Sequence, residues 1–262
     1  MQETKPTTGT QAIERAVALL TTIADRPQFG WRLTDLASYC DLSNPTTHRI
    51  LSSLISLWLV KQREDDRRYV PGPLLYDLAL TLPLHFAFQS ACRKHLDYLA
   101  ACSHTQVFLA LRSGDTCVCV DSAGFSSVRL KSRPGMRRPL IYAAMGNAML
   151  IGLPIEEQQR IVSSNIDHAR LRADPYLSNY LHVYRRSRRC GFGFHKGDVA
   201  NGVTSVSVPI LNPAGVAFAS LSAMTATEAF TNEKIRRTVE LLRHEAIAIT
   251  QQNVKLTKAL SK

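Results

Sequence analysis

The sequence predicts an α+β protein in two parts. A small N-terminal winged helix-turn-helix is followed, beyond a connecting helix, by a larger α+β domain built on an antiparallel sheet. Three observations lead there. Two short apolar-periodic segments separated by a polar turn fill the stretch from Leu33 to Leu57. A strand–turn–strand pattern, "LVKQREDDRRYVPG", comes directly after them. Past residue 90, strands with alternating polarity are interleaved with helical stretches.

In the first helix Ile13, Val17, Leu20 and Ala24 recur at helical spacing, and Pro27 with Gly30 closes it. "RLTDLASYC" offers Leu33, Leu36 and Ala37 for a short second helix, with Thr34 and Asp35 near its start. After the turn Asp41-Leu42-Ser43, either Ser43 or Asn44 caps a third helix, and Pro45 fits its first turn, where a missing N–H costs nothing. Thr47, Ile50, Leu51, Leu54 and Leu57 share the core side of that helix, and Thr46, Arg49, Ser53 and Ser56 share the other. A face of hydroxyls around one arginine suits a DNA major groove, because Arg reads guanine bidentately while Ser and Thr meet phosphates and thymine methyls. Plain solvation of an amphipathic helix explains the same face when the helix is taken alone.

The hairpin alters that balance. Strands at 59–62 and 67–70 around the turn Glu64-Asp65-Asp66 form a wing, whose Arg63, Arg67 and Arg68 are placed to reach DNA backbone or minor groove. Asp65 and Asp66 at the tip work against this, leaving the flanking arginines as the candidate contacts.

"PLLYDLALTL" then puts Leu74, Leu75, Leu78 and Leu82 on one helical stripe before Pro83 breaks it. "QVFLALRSGDTCVCVDSA" reads as a hairpin, with strands 106–111 and 116–121 about the turn Ser113-Gly114-Asp115. "SSVRLKS" reads as a further strand and "RPLIYAAMGNAMLIGL" as a helix of small and apolar residues. "NGVTSVSVPI" and "GVAFASLSAM" are two strands joined by Asn212-Pro213-Ala214-Gly215, and a helix over 231–256 closes the chain through Ile235, Val239, Leu242, Ala246 and Ile249. Ser205 and Ser207 alternate with Val206, Val208 and Ile210; Ser220 and Ser222 share a face with Phe218 and Met224. A few hydroxyls among apolar side chains suit a small-ligand pocket, although any single serine is better explained by a bond to nearby backbone.

The whole-chain numbers constrain function. The 262 residues, 45% hydrophobic and 20% charged, are those of a globular protein with room for two cores. No secretory signal is visible, and the longest charge-free run, Pro139 to Pro154, is too short to span a bilayer. The six cysteines show no disulfide-like framework, so a cytoplasmic protein with reduced thiols and no membrane association is expected. Net charge is +11, yet residues 1–75 contribute only +1 and residues 76–262 the other +10. Charge alone therefore does not locate a DNA-binding face.

"AIERAVALLTTIA", "LTDLASYCDLSNPTTHRILSSLISLWLV" and "RRYVPGPLLYDLA" together resemble, in order and spacing, the IclR family of bacterial transcription regulators, and the resemblance runs to about residue 256. It implies a winged helix-turn-helix over 9–71, a linker helix over 72–88 that helps pair protomers, and an effector-binding domain of GAF/profilin-like type over 89–256. His48-Arg49 match the family's pattern; Pro45 departs at a position that often contacts phosphate. The candidate DNA-binding residues are Asn44, Pro45, Thr46, Thr47, His48, Arg49, Ser53, Arg63, Arg67 and Arg68. Carried over by position, the resemblance implies an effector cavity lined by Leu130, Arg138, Ala144, Met145, His195, Val203, Ser205, Ser222 and Met224. Three of these depart from the better-known pattern: His195 stands where an acid is often found, Met224 where a serine can be, and Arg138 where an apolar residue can be. The expected partners are palindromic operator DNA, a second copy of the chain in a homodimer or tetramer, and a small organic-acid effector held by the amides opening the helix at Ala143 to Gly146 and by Arg138.

Other chemistries fit less well. Cys92-x-x-His95, Cys102-x-His104 and Cys117-x-Cys119 have irregular spacings for a zinc site, and no metal or cofactor is expected. The alternative function is a hydrolase-like enzyme fused to a winged helix, using Ser205, His195 and Asp198; no G-x-S-x-G elbow supports it, and no Walker-type phosphate loop is present. The basic run at 185–197 is a solvated face, a source of positive potential for an acidic ligand, or a non-specific DNA contact.

Overall fold

The computed structural model describes residues 10–125, 132–198 and 200–260, in two compact units that divide at Pro83. The first unit holds α1 (Thr10–Ala24), α2 (Leu33–Tyr39), α3 (Asn44–Ser56), β1 (Val60–Gln62), β2 (Tyr69–Pro71) and α4 (Leu74–Leu80). Its core is Leu19, Ile23, Trp31, Leu36, Leu51, Leu54, Val60 and Tyr69. The inward stripe of α1 is thus Leu19, Thr22 and Ile23, and the stripe expected from periodicity points out: Ile13 and Val17 are 65% and 51% exposed. Two apolar stripes lie on this one helix, and spacing alone does not say which is packed. Leu57, expected in the core, follows the end of α3 and is exposed as well.

The wing is tied to the helices by backbone. Trp31 pairs with Tyr69 as a short third strand, its N–H donating to the Tyr69 carbonyl at 3.0 Å and its carbonyl accepting at 2.9 Å. Gly30 enters this pairing at φ +64, and a Cβ there would sit 3.0 Å from the Tyr69 oxygen, so both conformation and space demand glycine. The expected 72–88 linker helix is interrupted: α4 stops at Leu80, Thr81 closes it, and α5 (Pro83–Ser103) begins afresh. A proline inside a continuing helix would forfeit a backbone bond, whereas at the first position of a new one it forfeits none. No residue of α4 is buried in the chain.

The second unit continues through β3 (Gln106–Ser113), β4 (Thr116–Ala123), β5 (Arg137–Pro139), a 3-10 turn at Leu140–Tyr142, α6 (Ala144–Ile151), α7 (Ile155–Leu171), α8 (Leu177–Cys190), β6 (Gly193–Lys196), β7 (Val203–Leu211), β8 (Ala217–Ala226) and α9 (Asn232–Leu260). The strands form one antiparallel sheet in the order β5-β4-β3-β8-β7-β6. The expected strand over "SSVRLKS" falls almost wholly outside the described residues.

Helices cover both faces of the sheet. On one, Val206, Val208, Ile210, Leu221 and Ala223 pack with Cys92, Leu96 and Leu99 of α5 and with Val239, Leu242 and Ala246 of α9. The opposite face meets α6, and a second cluster there joins Ala110 and Ala217 to Leu140, Met145, Met149, Tyr180 and Tyr184. Gly193 of β6 lies so close to α6 that a Cβ would stand 2.0 Å from the Ala144 oxygen. Successive residues of β7 therefore serve different layers: Val206 faces the α5–α9 core, and Ser205 faces the α6 side. The Ser207 and Ser222 hydroxyls, directly opposed in register, hydrogen-bond each other in the buried sheet. No helix among the described residues is long and apolar enough to cross a membrane.

Candidate DNA interface and ligand cavity

Ser43 is the N-cap of α3: its Oγ accepts from the Thr46 N–H at 3.4 Å and donates to Thr46 Oγ1 at 2.9 Å. Pro45 then occupies the first turn. Asn44, Pro45, His48, Arg49 and Ser53 are exposed, and Thr46 is half-buried. The Ser52 and Ser53 hydroxyls donate back to the His48 and Arg49 carbonyls at 2.9 and 3.3 Å, which leaves their oxygen lone pairs outward as acceptors. Arg49 has no ion pair or side-chain hydrogen bond among the described residues. Thr47 does not join this face. It is fully buried, with an unpartnered Oγ1, so the reading of Thr47 as a DNA contact is corrected to a core role.

The wing arginines separate in the same way. Arg63 Nε donates to Asp66 Oδ1 at 3.0 Å and its Nη2 pairs with Asp66 Oδ2, while Nη1 and Nη2 also donate to the Gln28 and Phe29 carbonyls at 2.8 and 3.0 Å. Arg68 donates to the Phe29 carbonyl at 3.1 Å and pairs with Asp66 at 3.3 Å. The Arg63 hydrogen bond holds the Asp66 carboxyl below its ordinary range. Both arginines fasten the hairpin to the loop after α1, and their guanidinium groups are occupied. Arg67, at φ +58 on the turn, is exposed and has no side-chain partner among the described residues.

In the second unit a cavity of about 550 Å³ opens beside the sheet. Arg138 of β5, His195 of β6, Val203 and Ser205 of β7 and Met224 of β8 all line it, so five candidate residues from four strands meet there. Ala144, Met145 and Ser222 do not. Ala143, the N-cap of α6, faces the cavity in place of Ala144; Met145 turns into the apolar cluster and Ser222 into its bond with Ser207. Leu130 lies outside the described residues. Sequence reasoning missed Ser132, Tyr142, Tyr176, Asn179, Tyr180, Ala200 and Asn201; Asp198, weighed only for the hydrolase alternative, also lines the wall. Several of these belong to α8 or the residue that opens it, and the helix's inward stripe Tyr180, Val183, Tyr184 and Ser187 is a readable helical spacing hidden beside a basic run.

The cavity chemistry is aromatic and cationic. Tyr142 and Tyr180 stack with centroids 4.0 Å apart and planes 15° apart. Burial pushes the Tyr180 phenol up to about 12 and Tyr142 higher still, so both stay neutral donors. The Arg138 side chain has no ion pair or hydrogen bond among the described residues, although its charge is felt at Tyr180. His195 is buried, and burial lowers its pKa against the opposing charge of Asp198. Its Nε2 accepts from the Ala200 N–H at 3.2 Å, which assigns the neutral ring with its proton on Nδ1. Asp198 is claimed by Arg186 and by the Lys196 N–H at 2.8 Å; burial alone would raise its pKa, and these partners bring it below the ordinary value. Ser205 and His195 are cross-strand partners, but with Nε2 occupied and Asp198 bound to Arg186 the trio makes no nucleophile–base–orienter relay. Cys117 and Cys119 are buried with thiols pushed up to about 12, and His95 is engaged with Glu245 at 2.5 Å; no group of three metal-ligating side chains occurs among the described residues.

Residues 12–64 match the IclR helix-turn-helix domain and residues 85–251 match the bacterial transcriptional regulator IclR C-terminal domain. The chain belongs to the IclR family. This IclR-family transcriptional regulator is 26% identical over 213 residues to the probable transcriptional regulator SauR of Cupriavidus necator, covering 80% of this chain and 84% of that one. It is 22% identical to the HTH-type transcriptional regulator KdgR of Escherichia coli over 92% of both chains. Its fold is that of the IclR regulator from Alicyclobacillus acidocaldarius, at TM-score 0.70 and 21% identity over 93% of this chain and 98% of that one. An IclR homolog from Microbacterium hydrocarbonoxydans, solved with 4-hydroxybenzoate, aligns at TM-score 0.66 and 18% identity over 93% and 99% of the two chains.

Proposed function

We propose that this regulator reads operator DNA with the outward face of α3, centred on Arg49, and that a small carboxylic acid with a planar aromatic body seats in the cavity and controls that binding. The observation that carries the ligand class is Arg138: a guanidinium in a cavity wall with no counter-ion among the described residues, beside a stacked tyrosine pair. A carboxylate there gains a charge-assisted bond, the Tyr142–Tyr180 pair presents rings for stacking, and Val203 and Met224 enclose carbon. Ser205 orients a second polar group. The 4-hydroxybenzoate found in the Microbacterium hydrocarbonoxydans homolog is a ligand of this class, which supports the reading without naming the molecule.

In this reading the DNA-binding domain spans 9–71, the linker 72–88 and the ligand domain 89–256. The chain acts as a homodimer or a pair of dimers on a palindrome. The exposed Leu78 and Leu82 of the linker supply an apolar surface for pairing, and two reading heads double the sequence read. Calorimetry of 4-hydroxybenzoate against its amide tests the ligand class. The acid is expected to bind at least tenfold more tightly to the wild type, and Arg138→Gln to remove most of that preference. Equal affinity for acid and amide overturns the carboxylate reading, and an unchanged preference in Arg138→Gln overturns the role of Arg138.

A further inference from the structure

We propose that the outer face of α8 is a second, sequence-independent contact for duplex DNA, separate from the reading head and from the ligand cavity. Tyr180, Val183, Tyr184 and Ser187 are the buried side of this helix. Opposite them His182, Arg185, Arg188 and Arg189 stand exposed and line, with Tyr184, a shallow groove of about 530 Å³. Arg243 of α9 adjoins the end of the helix, its Nη2 donating to the Gly191 carbonyl at 3.4 Å.

Three features distinguish this face from ordinary solvated surface. The helix contains no acidic residue, and none of its exposed arginines has a carboxylate partner among the described residues. Elsewhere in the same unit Arg93 pairs with Asp97 and Asp121, Arg112 with Glu157 and Arg160 with Asp115, and on another side of α8 Arg186 pairs with Asp198; Arg138, Arg236 and Arg237 are unpaired among the described residues, but they do not gather on one helix face as the α8 trio does. Arg185 and Arg189 are also i,i+4 neighbours of like charge, an arrangement that weakens a helix. The helix dipole favours cations at Arg188 and Arg189 in the last turn, but it does not explain Arg185 or the gathering of all three on one face.

The partner follows from the chemistry. From Arg185 to Arg189 the helix rises roughly 6 Å, so the three side chains cover about two to three phosphates of one strand. A membrane surface fits less well. Interfacial helices bury large apolar side chains on the face they present; on α8 Val183 is turned inward, and Tyr184 reaches the groove only as a mostly buried ring at its edge. DNA is also the polyanion this regulator already holds. Once the reading head is bound, flanking duplex is present at the high effective concentration of a tethered ligand.

The test uses the full-length wild type and the triple variant Arg185→Gln, Arg188→Gln, Arg189→Gln, with a fluorescent random-sequence duplex of about 60 bp in a salt titration. The variant is expected to bind about tenfold more weakly near 0.15 M salt. Its slope of log affinity against log salt should be shallower by about 2, since each phosphate that is no longer neutralised lowers the slope by roughly 0.9. The all-lysine triple variant should restore both. Circular dichroism melting of each variant verifies folding, and these surface changes should leave it unmoved. Wild-type affinity and slope in the folded glutamine variant overturn the proposal. So does binding of wild type to phosphatidylserine vesicles that the substitution abolishes while DNA binding is untouched, which would assign the face to lipid.

Discussion

Two arginine-rich regions of this molecule use the same side chain for opposite ends. In the wing, Arg63 and Arg68 are bound to Asp66 and to backbone carbonyls of the loop after α1, and they hold the hairpin in place. On α8, Arg185, Arg188 and Arg189 are exposed and have no ion pair among the described residues. The charge totals follow the same division. Residues 1–83 carry nine Lys/Arg and nine Asp/Glu, a net of zero, whereas residues 84–262 carry twenty-three and twelve, a net of +11. A reading head of zero net charge attracts DNA weakly and is left to discriminate through a few unpaired groups. Under the proposal for α8, attraction without sequence falls to the unit that carries the surplus.

The largest effect that sharpens this contrast is at Arg49. Arg49→Ala should cost about 1–3 kcal/mol at the cognate operator and relax discrimination at one base pair. Competition gel shifts against a mutated-site library measure it; equal weakening on cognate and random duplex would reduce Arg49 to a phosphate contact and break the contrast.

Next in size is the difference between two wing arginines. Arg63→Ala removes bonds to Asp66, Gln28 and Phe29 and should lower the melting temperature together with DNA affinity. Arg67→Ala should leave melting unchanged and weaken cognate and random DNA alike. A variant Arg63→Ala with wild-type melting would show that the wing does not depend on its staples.

The smallest effect is a pH dependence. Asp66 is held below its ordinary carboxylate range first by its hydrogen bond to Arg63. Its contribution is therefore fully present above the unfolded value of about 3.9 and is lost as pH falls through the lower folded value. Asp66→Asn should flatten the acid limb of a melting-temperature profile below about pH 4. An acid limb identical to wild type would mean that the carboxylate adds nothing to the wing. Substitutions on α8 should not change that limb, since no carboxylate there is released.

Much of this was legible in the sequence where local chemistry decides. Ser43 and Pro45 announce the start of α3, and the alternation of Ser205 with Val206 assigns β7 to two layers. Arg138, His195, Ser205 and Met224 come together although they are scattered over almost ninety positions, because the family resemblance aligned them and the sheet register joins them. What was illegible depends on long-range pairing. Nothing near Arg63 or Arg68 in the chain shows that the Phe29 carbonyl awaits them. Thr47 shares its type with Thr46 but turns inward, and two apolar stripes on α1 left the choice of core face to packing. The tyrosine wall was hidden because α8 is rich in arginines that read as surface.

The double use of β7 and β8 has a consequence for how ligand occupancy is measured. These strands lie in the interior of the sheet, carrying Ser205 and Met224 toward the cavity and Val206, Leu221 and Ala223 into the α5–α9 core. Their amide protons sit in the most protected part of the domain, where exchange with deuterium requires opening of the whole unit. A molecule held against this floor lowers the open population by a factor of one plus the ratio of free ligand concentration to Kd. Deuterium uptake at the buried amides of Val206 and Ala223 thus reports binding on the far side of a strand the ligand never crosses.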